Sequence, residues 1–111
     1  MQHALSEAKK AALRDEVPVG SIIIDNKTGS IIARAGNRVE EQNNPLAHAE
    51  ILVIQAATKK LGKSRLNDCD IYITLEPCPM CASAISLARL RRVYFGAYDP
   101  KSGGKIGRAH V

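Results

Sequence analysis

Cys78 and Cys81, three residues apart, and the triplet His48-Ala49-Glu50 are the side chains best suited to hold a metal and move a proton. Cys-x-x-Cys is the commonest half of a zinc site, since its two thiolates come from one turn of chain. Cys78-Pro79-Met80-Cys81 opens a segment with apolar residues at helical spacing (Ala82, Ile85, Leu87, Ala88). Both thiols are therefore expected on the first turn of a helix, whose positive end favours thiolates. His48 supplies a third ligand from the start of a second helical pattern. Three protein ligands leave a fourth position open, the arrangement of catalytic zinc, whereas structural zinc is closed by four.

Glu50 separates the two. A site built for stability alone needs no carboxylate beside it. Glu50 follows His48 by two residues on the same first turn. Zinc lowers the pKa of a bound water toward about 7, and an adjacent carboxylate can carry the water's proton to a leaving group. The chemistry implied is hydrolytic.

Those ligands need elements to hold them. Residues 2–14 place Leu5, Ala8, Ala12 and Leu13 at helical spacing, which predicts an amphipathic helix ending before Val17-Pro18. The β-branched run 19–25, the turn Asn26-Lys27-Thr28-Gly29 and the stretch 30–35 predict a hairpin. Asn37 follows, with an amide that both donates and accepts. Residues 40–44 are expected to be a polar loop. A helix is predicted over 47–61, burying Ile51, Leu52, Ile54, Ala57 and Leu61 and closed by Gly62. A third strand over 70–75 leads into Glu76-Pro77-Cys78, the cysteine helix runs to about 90, and a fourth strand spans 92–97. Cys69 lies at the far end of the third strand and is expected to be a free thiol. Glu76 is expected to support a ligand from just outside the metal, as carboxylates do at many such sites, and Pro77 to preset the backbone ahead of Cys78.

Composition narrows the class. At 111 residues and 45% hydrophobic, the chain has enough apolar material for one core. No stretch approaches the run of about 18 apolar residues that a membrane span needs. Three cysteines, two in one motif, suit a metal site in a reducing compartment better than a disulfide framework. The start lacks an apolar signal core, so a cytoplasmic location is expected. A net charge of +5 is compatible with a polyanion such as RNA, though charge alone favours a solvated basic surface.

His-x-Glu followed by Pro-Cys-x-x-Cys is the signature of zinc nucleobase deaminases. The chain resembles the cytidine/deoxycytidylate deaminase superfamily, and within it the bacterial tRNA-specific adenosine deaminases. The resemblance runs through Asp15-Glu16-Val17-Pro18-Val19-Gly20, Gly36-Asn37-Arg38, Ala47-His48-Ala49-Glu50-Ile51, Thr74-Leu75-Glu76-Pro77-Cys78 and Phe95-Gly96-Ala97-Tyr98-Asp99-Pro100-Lys101. It implies a three-layer α/β/α sandwich with a mixed central sheet that opens with an antiparallel hairpin. It also implies one zinc ion on His48, Cys78 and Cys81, Glu50 as the catalytic acid and base, tRNA as partner, and a homodimer. Substrate contacts are implied for Val17, Asn37, Ala49 and Asp99.

Relatives continue past Gly104 with a further strand and C-terminal helices, which this chain is expected to lack. Residues 106–111 are what ATC-GGA-AGA-GCA-CAC-GTC encodes, a string belonging to a widely used sequencing adapter, with TGA next in frame. Residues 1–105 are therefore expected to be an incomplete deaminase domain and residues 106–111 a non-native tail. Amplification of the locus tests this. Two further functions compete with tRNA editing: deamination of a free base or nucleoside such as guanine, cytosine or cytidine, and a zinc-stabilised binding module without catalysis. The second needs a fourth protein ligand, for which Cys69, His3 and His110 are badly placed.

Overall fold

An antiparallel hairpin, β1 (Gly20–Asp25) and β2 (Ile31–Gly36), begins the sheet, and Gly29 completes its turn in the left-handed region at φ 74°. The computed structural model describes residues 1–97 and, as backbone alone, residues 105–110. β3 (Cys69–Ile73) pairs antiparallel with β1, and β4 (Arg92–Ala97) lies parallel to β3, giving the spatial order β2-β1-β3-β4. The mixed sheet expected from the resemblance is present.

The sequence reading leaves the sheet without its last strand. In the structure β5 (Lys105–His110) pairs antiparallel with β4. An open strand edge offers unpaired N–H and C=O groups, and any extended stretch satisfies them whatever its side chains.

Successive residues of β1 face opposite layers. Ser21 donates its hydroxyl proton to the Ala49 carbonyl at 2.9 Å, so its face looks toward α3 (Ala49–Leu61). A Cβ added at neighbouring Gly20 would collide with the Ala4 carbonyl and the Ala8 nitrogen of α1 (Gln2–Leu13) on the other face. The sheet is thus sandwiched. The main core lies on the α3 side, where Ile23, Ile71, Ile73 and Val93 meet Val53 and Ala57 of α3 and Ile85 of α4 (Pro79–Leu87).

Three expectations change. The buried residues of α3 are Ala49, Glu50, Val53 and Ala57, whereas Ile51, Leu52 and Ile54 are half-buried and Leu61 is exposed, because the side nearest the sheet is centred on Val53. The buried face of α1 is Ala4, Glu7, Ala8 and Ala11, while Leu13 is 86% exposed. The helix approaches β1 and β2 so closely that its backbone, its alanines and the Cβ of Glu7 meet Gly20 and Gly36 directly, and proximity outranks hydrophobicity. Residues 39–42 form a short helix, α2 (Val39–Gln42), where a polar loop was expected, closed by Asn43 in the left-handed conformation. The ends of α3 are as expected in kind: Gly62 caps it at φ 66°.

Candidate metal centre

The register opposes Gly20 to Gly36 and Ser21 to Ile73, so the start of β1 and the ends of β2 and β3 lie at one end of the sheet. Both ligand turns leave from there. His48 is the N-cap of α3 and Cys78 the N-cap of α4, each with an extended backbone that turns the side chain off the helix axis. Pro79 takes the first helical position, where no N–H partner is required. Cys81 sits one turn on from Cys78, fully buried.

His48 Nδ1 lies 3.8 Å from Cys78 Sγ and 3.5 Å from Cys81 Sγ. The three ligand atoms all fall within 4.8 Å of one another. Zinc with bonds of about 2.3 Å to sulfur and about 2.0 Å to nitrogen, arranged tetrahedrally, separates N from S by about 3.6 Å. The donor set fits a zinc ion. No fourth protein ligand joins this group among the described residues. Cys69 is in the core, where burial pushes its thiol up.

The thiolate expectation changes at Cys81. Burial pushes its thiol well above the ordinary cysteine value, and the charge of Glu50 pushes the same way. A helix N-terminus is worth too little to offset that penalty. A divalent cation is the group that reverses it, because it turns the same low-dielectric surroundings in favour of the thiolate.

Glu50 is 4% exposed, and its Oε1 has no hydrogen-bond partner among the described residues. A buried, unpaired carboxylate oxygen is costly, so it marks a place where a ligand completes the hydrogen bonding. Glu50 lines a cavity of about 460 Å³ together with His48, Cys78, Asn37, Val17 and Glu76. That volume suits a small organic ligand.

The other residues singled out from the sequence divide. Asn37 is buried and its Oδ1 accepts from the Ala49 N–H at 2.7 Å, so its Nδ2 amide is the polar group left for the cavity. Val17 is 62% exposed at the rim. Ala49 is wholly buried, with its N–H given to Asn37 and its C=O to Ser21. Glu76 is exposed at the rim and makes no hydrogen bond among the described residues; Pro77 is half-buried. Asp99 lies outside the described residues. Glu16 was singled out for no role, yet it is buried beside this cavity and holds two backbone amides of α2. Its one signal in the sequence is indirect: α2 begins after Arg38, a residue unable to cap it.

A family model described as MafB19-like deaminase matches residues 1–111. The chain is 55% identical over 103 residues to a tRNA-specific adenosine deaminase of Agrobacterium fabrum, covering 93% of this chain and 66% of that protein. The tRNA-specific adenosine deaminase of Bacillus subtilis is 52% identical over 103 residues, with 93% and 63% covered. The chain thus spans about two thirds of the length of these curated relatives. Among solved structures, a deaminase studied for A-to-I editing at the wobble position of transfer RNA superposes with a TM-score of 0.84 at 55% identity, covering 93% of this chain and 73% of that one. Guanine deaminase from Bacillus subtilis superposes at 0.82 with 39% identity, covering 86% and 60%.

Proposed function

The chain belongs to the MafB19-like deaminase family, and on that basis we propose that it hydrolyses adenosine to inosine within tRNA, at the wobble position, releasing ammonia. The observation that carries the chemistry is the cavity lined by Glu50, with one oxygen unpaired among the described residues, beside His48 and Cys78, whose cluster the buried Cys81 completes. The substrate class is supported by the names of the relatives.

His48 Nδ1 and the two Sγ atoms would hold zinc, which supplies a Lewis acid that makes water a nucleophile near neutral pH. Glu50 does the proton work. Its free oxygen accepts a proton from the attacking water, passes it to a ring nitrogen of adenine, and later delivers a proton to the departing amine. Atoms balance: adenosine and water give inosine and ammonia. Asn37 donates from Nδ2 to an acceptor on the nucleotide, while its Oδ1 keeps the start of α3 in place. A cavity of this size takes one nucleoside, so the target base must leave its stack, as an unpaired loop nucleotide does most readily. The protein would act as a homodimer in the cytoplasm, with the 1–105 segment as its deaminase domain.

A second substrate class is favoured by one finding, the superposition on guanine deaminase: a free purine base in the same cavity, deaminated by the same groups. The test is zinc content and product formation with an adenosine-containing anticodon stem-loop beside free guanine, cytosine and nucleosides. Stoichiometric zinc and inosine from the stem-loop support tRNA editing. Zinc with product only from a free base assigns the second class instead.

A further inference from the structure

Glu16 takes no part in the chemistry above, yet it is 6% exposed at the junction between α1 and β1. Its two oxygens share two backbone donors: Glu40 N–H to Oε1 at 3.0 Å and Glu41 N–H to Oε2 at 2.8 Å. Those are the second and third residues of α2, whose N–H groups an N-cap side chain ordinarily satisfies. Arg38 stands at that N-cap, has no acceptor to offer and makes no cap bond. The cap comes instead from Glu16, 24 positions back in the chain.

α2 needs it. The helix is four residues long and buries none of them, so neither length nor hydrophobic contact keeps it in place. Val39 and Glu40 nevertheless form part of the cavity wall that includes His48 and Glu50. A second seam runs beside the first: Arg14 Nη2 donates to the Asn37 carbonyl at 3.2 Å, and Asn37 N–H to the Val19 carbonyl at 3.1 Å.

We propose that Glu16 is a positioning residue for substrate binding: its carboxylate fastens α2 to the α1–β1 junction and thereby sets the opening through which the nucleotide reaches the metal centre. The activity arm of its test rests on the deaminase reading; the exchange arm does not.

The experiment compares the zinc-loaded protein with Glu16→Gln and Glu16→Ala by amide hydrogen exchange, zinc content and steady-state kinetics on the anticodon stem-loop. In Glu16→Ala the amides of Glu40 and Glu41 exchange about tenfold faster or more, while those of β1 and β3 are unchanged. Zinc stays stoichiometric and KM rises about tenfold with kcat within about twofold, because the wall and not the chemistry is disturbed. Glutamine has one carbonyl oxygen, so Glu16→Gln protects one of the two amides and gives an intermediate KM. Unchanged exchange at Glu40 and Glu41 overturns the proposal. So does a fall in kcat that tracks faster exchange throughout the chain, which marks a residue needed only for stability. If the wild type forms no inosine, the substrate reading has failed and the exchange result still decides the clamp.

Discussion

Glu50 is the proton carrier of the proposed reaction, buried beside the ligand cluster. It is held on the first turn of α3 with one oxygen unsatisfied, and it raises the Cys81 thiol by its charge. Glu50→Gln keeps the shape, removes the base and relieves that repulsion. Zinc content should be unchanged, and deamination should fall by about a hundredfold or more; metal loss in the variant would instead make Glu50 part of the ligand set. Asn37 offers a sharper contrast. Asn37→Asp keeps an acceptor for the Ala49 N–H but loses the Nδ2 donor. Its expected signature is a KM raised about tenfold with thermal stability near that of the wild type, whereas Asn37→Ala should lose both.

Elements set the positions that residues use. α1 lies on the sheet through alanines because Gly20 leaves no room for a Cβ beneath the Ala4 carbonyl. Gly20 does not occupy the left-handed region, so the obstacle there is space alone. Gly20→Ala should cost about 2 kcal/mol or more, a fall in Tm of about 10 °C. Gly29→Ala meets nothing within 4 Å and should cost only the strain of φ 74°, about 1 kcal/mol. α2 is governed by charge. Burial raises the Glu16 carboxyl, but the N–H groups of Glu40 and Glu41, with Arg14 and Arg38, outweigh it and hold the group below its ordinary 4.5. A depressed carboxyl contributes its full stability above that value and loses it as pH falls through the lowered one. The protection of the Glu40 and Glu41 amides, taken relative to unstructured exchange at each pH, should therefore fall selectively in acid in the wild type, and Glu16→Gln should abolish that pH dependence.

Across the whole molecule, charge is unevenly spread. The net charge is +5, yet Asp15, Glu16, Glu40, Glu50 and Glu76 all line the cavity. On the proposed tRNA reading, basic residues elsewhere on the surface would hold the phosphate backbone while the acidic cavity receives an uncharged base. Arg91 is already committed: its guanidinium forks onto Asp70 at 2.9 and 2.8 Å and reaches Asn26 at 2.7 Å, tying β3 to the hairpin turn. Three or so phosphate contacts from the remaining cations would raise KM for a tRNA stem-loop about tenfold or more between 50 and 200 mM salt, with kcat flat. A free base carries no phosphate, so a KM insensitive to salt would count against the tRNA reading.

The clustering of His48, Cys78 and Cys81 was legible because His48-Ala49-Glu50 and Cys78-Pro79-Met80-Cys81 are local patterns: three and four residues fix which side chains share a turn. The hairpin was legible for the same reason, through its β-branched runs and Gly29. Tertiary structure alone decided which face of α1 is buried, since the closeness of a helix to a sheet depends on glycines far along the chain. It also decided that Asn37 spends its carbonyl on Ala49, and that Glu16 caps a helix whose own N-cap is an arginine. A hydrogen bond across 12 or 24 positions leaves no periodic trace in a sequence, because either partner is an ordinary residue until the fold brings the two together.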